Sequence, residues 1–171
     1  MGNLEAESGL KPTNLQNTYE TKLGMTDAEY TAAVDQGVYN NFVKDSAGYG
    51  LAQWTYSTRK QNLLNYCKSK NKSIGDLEAQ LEFLIKELST NYTNSVYNVL
   101  RNAKTVLEAS NAVLIKYENP ANQGSSVQKS RASLGQVYYD KYATKVTIDV
   151  PSSNITGKMK YSSSNKPLAC M

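Results

Sequence analysis

The sequence predicts an α+β domain that is mainly α, with a minor β element and a polar C-terminal tail. Three observations carry this. Leu77, Leu81, Leu84, Ile85 and Leu88 recur at the spacing of one helical face. Other segments repeat that period more weakly. Between Gly37 and Gln53 the period is lost, and Gly, Asn and Tyr crowd together as in a small hairpin.

The elements follow in order. Leu4 and Ala6 precede Glu7, and Gly9 and Pro12 break the pattern, so Glu7 reads as the last turn of a helix that stops at a cleft. That helix has under two turns. Isolated helices shorter than about 12 residues are marginal, so only packing can hold this one. Thr26 and Glu29 have capping-box spacing and open a helix over 27–36 that Gly37 stops. Ser57 is a candidate cap for a helix to about residue 70, with Leu63, Leu64 and Cys67 on one face. Asp76 or Ser73 opens the helix of the leucine stripe, which is expected to be core. Helices over 94–102, 105–117 and 126–142 complete the set. Val106, Leu107, Ala109, Val113 and Leu114 give the second of these its buried side, and Pro120 ends it.

Domain organisation follows from a change in composition. Residues 1–143 form the folded unit. In 144–171, Val146, Ile148 and Val150 alternate like a strand, and Ser152 to Lys166 are rich in Ser, Asn and Lys. This tail is expected to be a linker towards a further module.

With 171 residues the chain can build a core without disulfides or metals. No apolar run approaches the ~18 residues of a membrane span, and no secretory signal is visible. The net charge of +4 is spread along the chain, which suits an anionic polymer only weakly. Cys67 reads as a buried thiol, and with Cys170 it makes no disulfide framework. Histidine is absent. This excludes Ser-His-Asp and Cys-His nucleophiles and His-containing zinc sites, so no cofactor or metal is expected. Carboxylates remain as acid and base, and a glycosidic bond is a target they can break alone.

Two segments carry that chemistry. One is Glu7-Ser8-Gly9-Leu10. The other runs from Asp45 through Ser46, Ala47, Gly48, Tyr49, Gly50, Leu51, Ala52, Gln53 and Trp54 to Thr55. Gly48 and Gly50 allow a tight turn and a close approach of backbone to ligand. Together the segments resemble the signature motifs of the lysozyme-like superfamily, which includes goose-type lysozymes, lytic transglycosylases and phage tail-tip lysozymes. The resemblance covers most of residues 2–143 and takes in Arg59, Tyr117-Glu118-Asn119-Pro120 and the helix from Arg131 to Tyr142.

The resemblance implies helices around a cleft and cleavage of the β-1,4 bond between N-acetylmuramic acid and N-acetylglucosamine in peptidoglycan. It implies that Glu7 is the catalytic acid and that Gln53 edges the cleft. Glu5 is the nearest rival, but two helical residues lie about 200° apart, so both cannot face the cleft. Tyr49 and Trp54 are candidates to stack on sugars, with Trp54 equally able to fill the core. Ser46 and Tyr117 are further cleft candidates. Thr55 stands where goose-type lysozymes keep an aspartate, which leaves Asp45 as the carboxylate that would activate water. Without such a base, the 6-hydroxyl of the substrate would attack, as in a lytic transglycosylase. A non-catalytic wall-binding or tail module is the alternative of another class. Relatives carry more apolar helix before Gly2, so a truncated N-terminal helix is expected. The implied partners are peptidoglycan and, with it, a phage tail or a downstream wall-binding or amidase module; neither nucleic acid nor membrane is expected. The implied place of action is the bacterial cell wall.

Overall fold

In the computed structural model, residues 1–143 are described, and the linker predicted over 144–171 lies outside them. The helices are α1 (Gly2–Ser8), α2 (Asn17–Leu23), α3 (Asp27–Asp35), α4 (Ser57–Ser69), α5 (Leu77–Asn91), α6 (Asn98–Asn102), α7 (Val106–Val113) and α8 (Ser125–Tyr142). A π-helical turn, Thr93–Tyr97, leads into α6, and a second, Leu114–Glu118, extends α7. The fold is mainly helical, as the sequence predicts. The minor β element shrinks, among the described residues, to isolated bridges of Tyr49 with Leu15 and Trp54.

Local chemistry sets the helix ends. Thr26 and Glu29 form a reciprocal capping box on α3. The Asp76 side chain accepts from the Ala79 N–H at 2.9 Å and opens α5. Ser57 is the first residue of α4 and not its cap, because Tyr56 takes the cap position with no side-chain bond.

The leucine stripe is only partly core. Leu84 and Leu88 are buried, whereas Leu77, Leu81 and Ile85 are exposed. The buried face of α5 is turned towards Ala79, Gln80, Phe83 and Glu87. Polar residues occupy the core face because they hold other segments. Leu107 is likewise exposed on α7. Leu81 and Ile85 instead line an apolar crevice of about 110 Å³ with α1, α7 and α8.

α1 and α7 pack on α8, and α4 packs on α5. The crossing of α1 and α8 is close: a Cβ on Gly2 would lie 2.5 Å from the Arg131 carbonyl oxygen. The Asn3 amide donates to the Ser110 carbonyl at 2.9 Å and fastens α1 to α7. So short a helix persists because α7 and α8 hold it.

Gln80, fully buried, pins the turn of the second motif. Its Oε1 accepts from the Leu51 N–H at 2.9 Å, and its Nε2 donates to the Pro12 and Ile74 carbonyls at 2.6 Å each. Gly50, at φ 73°, must be glycine because a Cβ there would stand 2.6 Å from Gln80 Oε1. Gln80→Met keeps the length and removes all three bonds. A loss on the order of 2–4 kcal/mol in urea denaturation is expected, and a loss below about 1 kcal/mol would show that the amide is no anchor.

Candidate active site

Glu7 stands in the last turn of α1, where Gly9 closes the helix at φ 60° and donates to the Glu5 carbonyl at 2.8 Å. Behind it Ser8 is buried, its Oγ 3.0 Å from the carbonyl oxygens of both Leu4 and Leu51. The serine of the first motif therefore ties the helix end to the second motif. Glu5 points elsewhere and accepts from the Tyr138 hydroxyl.

Beside this helix end lies a cleft of about 380 Å³, lined by Glu7, Gln16, Gly48, Ala52, Gln53, Thr55, Tyr56, Arg59, Glu118 and Pro120. Gln53 is held at φ 45°, a conformation costly for a residue with a side chain. The hold comes from its own amide, whose Nε2 lies 2.8 Å from Asn14 Oδ1 and 3.1 Å from the Asn14 and Gly50 carbonyls. With its donors engaged, Gln53 presents Oε1 as an acceptor. A Cβ on Gly48 would stand 2.7 Å from that oxygen, so glycine leaves the room it needs.

Two carboxyls line the cleft and meet at one cation. Arg131 of α8 donates through Nη2 to Glu7 Oε1 at 2.6 Å and through Nη1 to Glu118 Oε2 at 3.1 Å. The same Nη1 reaches the Asn3 carbonyl at 3.1 Å. The Glu7 side chain is 21% exposed and that of Glu118 only 3%. Among the described residues, Glu118 Oε1 has no hydrogen-bond partner. Burial, then the charge of Glu7, push the Glu118 carboxyl up to about 7 against the pull of Arg131.

Tyr49, Tyr117, Asp45 and Ser46 do not take the places expected of them, and of the two places the sequence left open for Trp54 it takes the core. Tyr49 and Trp54 offer no ring to a sugar, since both are 0% exposed. Tyr49 bonds Thr31 Oγ1 at 2.7 Å and packs at a tilt on Tyr30 and edge-on against Phe42. Trp54 packs on Phe83 and donates to Glu87 Oε2 at 3.1 Å. Tyr117 is buried as well and donates to the same oxygen at 2.7 Å. Asp45 is no free base. It pairs with the fully buried Lys60 at 2.6 Å and accepts from the Tyr30 and Tyr39 hydroxyls and the Ala47 N–H. Its oxygens are spent on this network because a buried ammonium needs them. Burial still draws Lys60 below its ordinary value against the pull of Asp45. Ser46 is exposed at φ 60°, outside the residues that line the cleft.

Sequence reasoning singled out neither Glu87 nor Tyr56 and assigned Glu118 no role. Glu87 is buried and receives Arg59 through Nε and Nη2, each at 2.8 Å, as well as Trp54 and Tyr117. Burial alone would raise its pKa, but the Arg59 bonds and charge prevail and lower it. Its signal was present in the sequence, for it falls three residues after Leu84 and seven after Gln80 on the core face of α5. Tyr56, 69% exposed, is the aromatic ring that the cleft offers to solvent. No sequence signal marks it. Among the described residues, no three Cys, Asp or Glu side chains converge as a metal site requires.

A family model described as phage tail lysozyme matches residues 1–142. No curated protein and no solved structure matches the chain.

Two outcomes follow from these environments. Asp45→Asn strands the Lys60 charge, so a loss of about 3–5 kcal/mol is expected in denaturant melts, with turnover per folded molecule nearly unchanged. A stable variant with turnover down ~10²-fold would restore Asp45 as a catalytic base. Glu118, with its folded pKa raised, favours folding below its unfolded value near 4.5, and that advantage fades as pH climbs to about 7. Relative to wild type, Glu118→Gln should therefore gain about 2–3 kcal/mol between pH 5 and pH 8. An equal gap at both pH values would show that Glu118 is ionised throughout.

Proposed function

The chain belongs to the phage tail lysozyme family, and from that premise we propose that it cleaves the β-1,4 bond between N-acetylmuramic acid and N-acetylglucosamine with Glu7 as general acid. Degradation of peptidoglycan is the activity that a lysozyme family implies. The observation that carries the finer reading is the meeting of both motifs at one cleft, where Glu7 and Gln53 line the same space.

The residues divide the work. Glu7, partly exposed at a helix end, protonates the glycosidic oxygen as the bond breaks and is left as a carboxylate. Arg131, 2.6 Å away, stabilises that charge. Gln53 Oε1 accepts from an acetamido N–H, a sugar hydroxyl or a water. Tyr56 supplies the face on which a sugar ring stacks. Peptidoglycan at the bacterial cell wall is the substrate, and a phage tail or a downstream wall-binding or amidase module is the setting. No helix among the described residues is long and apolar enough to cross a membrane.

Lytic transglycosylation is the second reading, and a specific observation favours it. The carboxyls that line the cleft, Glu7 and Glu118, are gathered on one guanidinium, and Asp45 is bound to Lys60. An inverting hydrolase needs a base about 6.5–9.5 Å from the acid with water between them. With no such base at the cleft among the described residues, attack by the muramic 6-hydroxyl needs only Glu7, as acid and then as base.

Digestion of purified sacculi tests the function, and mass analysis of the products tests the mechanism. Reducing N-acetylmuramic ends mean hydrolysis, 1,6-anhydro ends mean transglycosylation, and no release means a non-catalytic module. Glu7→Gln should lose about 10²–10⁴-fold in rate with its melting behaviour intact. Near-normal digestion by that variant, or an inactive Glu5→Gln in its place, would remove Glu7 from the role.

A further inference from the structure

One buried carboxyl at the cleft has no part in the chemistry above. Glu118 ends the second π turn, with Asn119 after it in the left-handed conformation at φ 47°. It lines the cleft beside Glu7, is almost fully buried, and leaves one oxygen without a partner among the described residues. The charged groups that face it are Glu7 of α1, Arg131 of α8, Arg59 of α4 and the amino group of Met1. Arg59 is engaged by Glu87, so Glu7 and Glu118 compete for the hydrogen bonds of one guanidinium, and at Glu118 burial and the Glu7 charge outweigh the pull of the cations. A single bound proton relieves that competition.

We propose that Glu118 is a positioning residue that shares one proton with Glu7 across Arg131, holding it in the free enzyme and yielding it when a glycan strand covers Glu7. This rests on the reading of Glu7 as general acid. In the free enzyme the more buried carboxyl, Glu118, keeps the proton, as its raised pKa supports. Glu7 is the more exposed and has the shorter bond to Arg131, so it bears the charge. A strand in the cleft strips water from Glu7 and leaves Glu118 little changed. The balance then moves from neutral Glu118 with ionised Glu7 to ionised Glu118 with neutral Glu7, by exchange through cleft water, with no net change of charge. Glu7 then gives that proton to the leaving oxygen, the C–O electron pair goes with that oxygen, water or the muramic 6-hydroxyl bonds to the anomeric carbon, and the proton which that nucleophile loses restores the pair. Without the Glu118 charge, Arg131 would belong to Glu7 alone and favour its ionised form at neutral pH.

The test is the pH dependence of kcat/KM on soluble glycan strands for wild type, Glu118→Gln and Glu118→Asp. In Glu118→Gln the alkaline limb should move down by about one pH unit or more, which is at least a tenfold loss near pH 7.5 with recovery towards wild type near pH 5. Glu118→Asp, which keeps the ionisable group, should keep the wild-type limb. A limb that does not move, or a loss equal at every pH, would overturn the shared proton and leave Glu118 a structural residue. If Glu118→Gln does not fold, carbon-13 carboxyl spectra of the wild type decide the matter. Glu118 should titrate near neutrality with Glu7 responding in the same range, whereas independent titrations in the ordinary carboxylate range refute the proposal. Glu7→Gln, measured alongside, separates the two ideas: an active Glu7→Gln sinks the general-acid reading, while an inactive one with a pH-indifferent Glu118→Gln sinks only the shared proton.

Discussion

The guanidinium of Arg131 is the constraint on which the cleft depends. It joins α1, the end of the second π turn and α8, segments that lie 13 to 128 residues apart in sequence. α1 has seven residues, too few to be stable on its own. It is fixed by the bond from Arg131 to the Asn3 carbonyl, by the close crossing at Gly2 and by Ser8 at its exit. The same cation gathers Glu7 and Glu118. The element that carries the acid is thus positioned by the group that tunes it.

Environment, not residue type, separates the carboxylates of this domain. Asp45 and Glu87 are buried with cations and hydroxyl, indole or backbone donors that occupy their oxygens, so each is tied into the fold. Such pairs add little net stability over apolar packing, but breaking one leaves a stranded charge. They fix geometry here. The Lys60–Asp45 pair holds the base of the 45–55 turn, and Glu87 holds Arg59 at the cleft, where it also lies 4.4 Å from the Tyr117 ring. Glu118 has a share in one cation and an oxygen with no partner, and it is driven towards its neutral form. Of these four, Glu7 combines a cation with a side chain partly exposed to the cleft.

The irregular backbone has a local purpose. π turns arise where a helix admits an extra residue, and they gather at functional positions. The second one places Tyr117 inward on Glu87 and Glu118 at the cleft, consecutive residues with different tasks. Gln53 and Gly50 take left-handed angles within four residues, which folds the turn tightly enough for Gly48 and Gln53 to share the cleft edge.

By itself the sequence determined what depends on short spacing. The capping box at Thr26, the Asp76 cap, the break at Gly9 and the helical class are contacts among residues a few positions apart, so the local pattern contains them. The two motifs were legible for the same reason, since each is a continuous segment whose glycines and amide serve its own turn. Tertiary structure decided which side of each residue is buried and which charge meets which. The Leu77, Leu81 and Ile85 stripe is exposed, because Gln80 and Glu87 are needed on the core face to hold Leu51 and Arg59. Asp45 became a structural anion through Lys60, fifteen residues away, and Glu7 met its cation 124 residues away. Burial and electrostatic pairing act through space, where separation along the chain has no bearing, and so these assignments could be read only from the folded molecule.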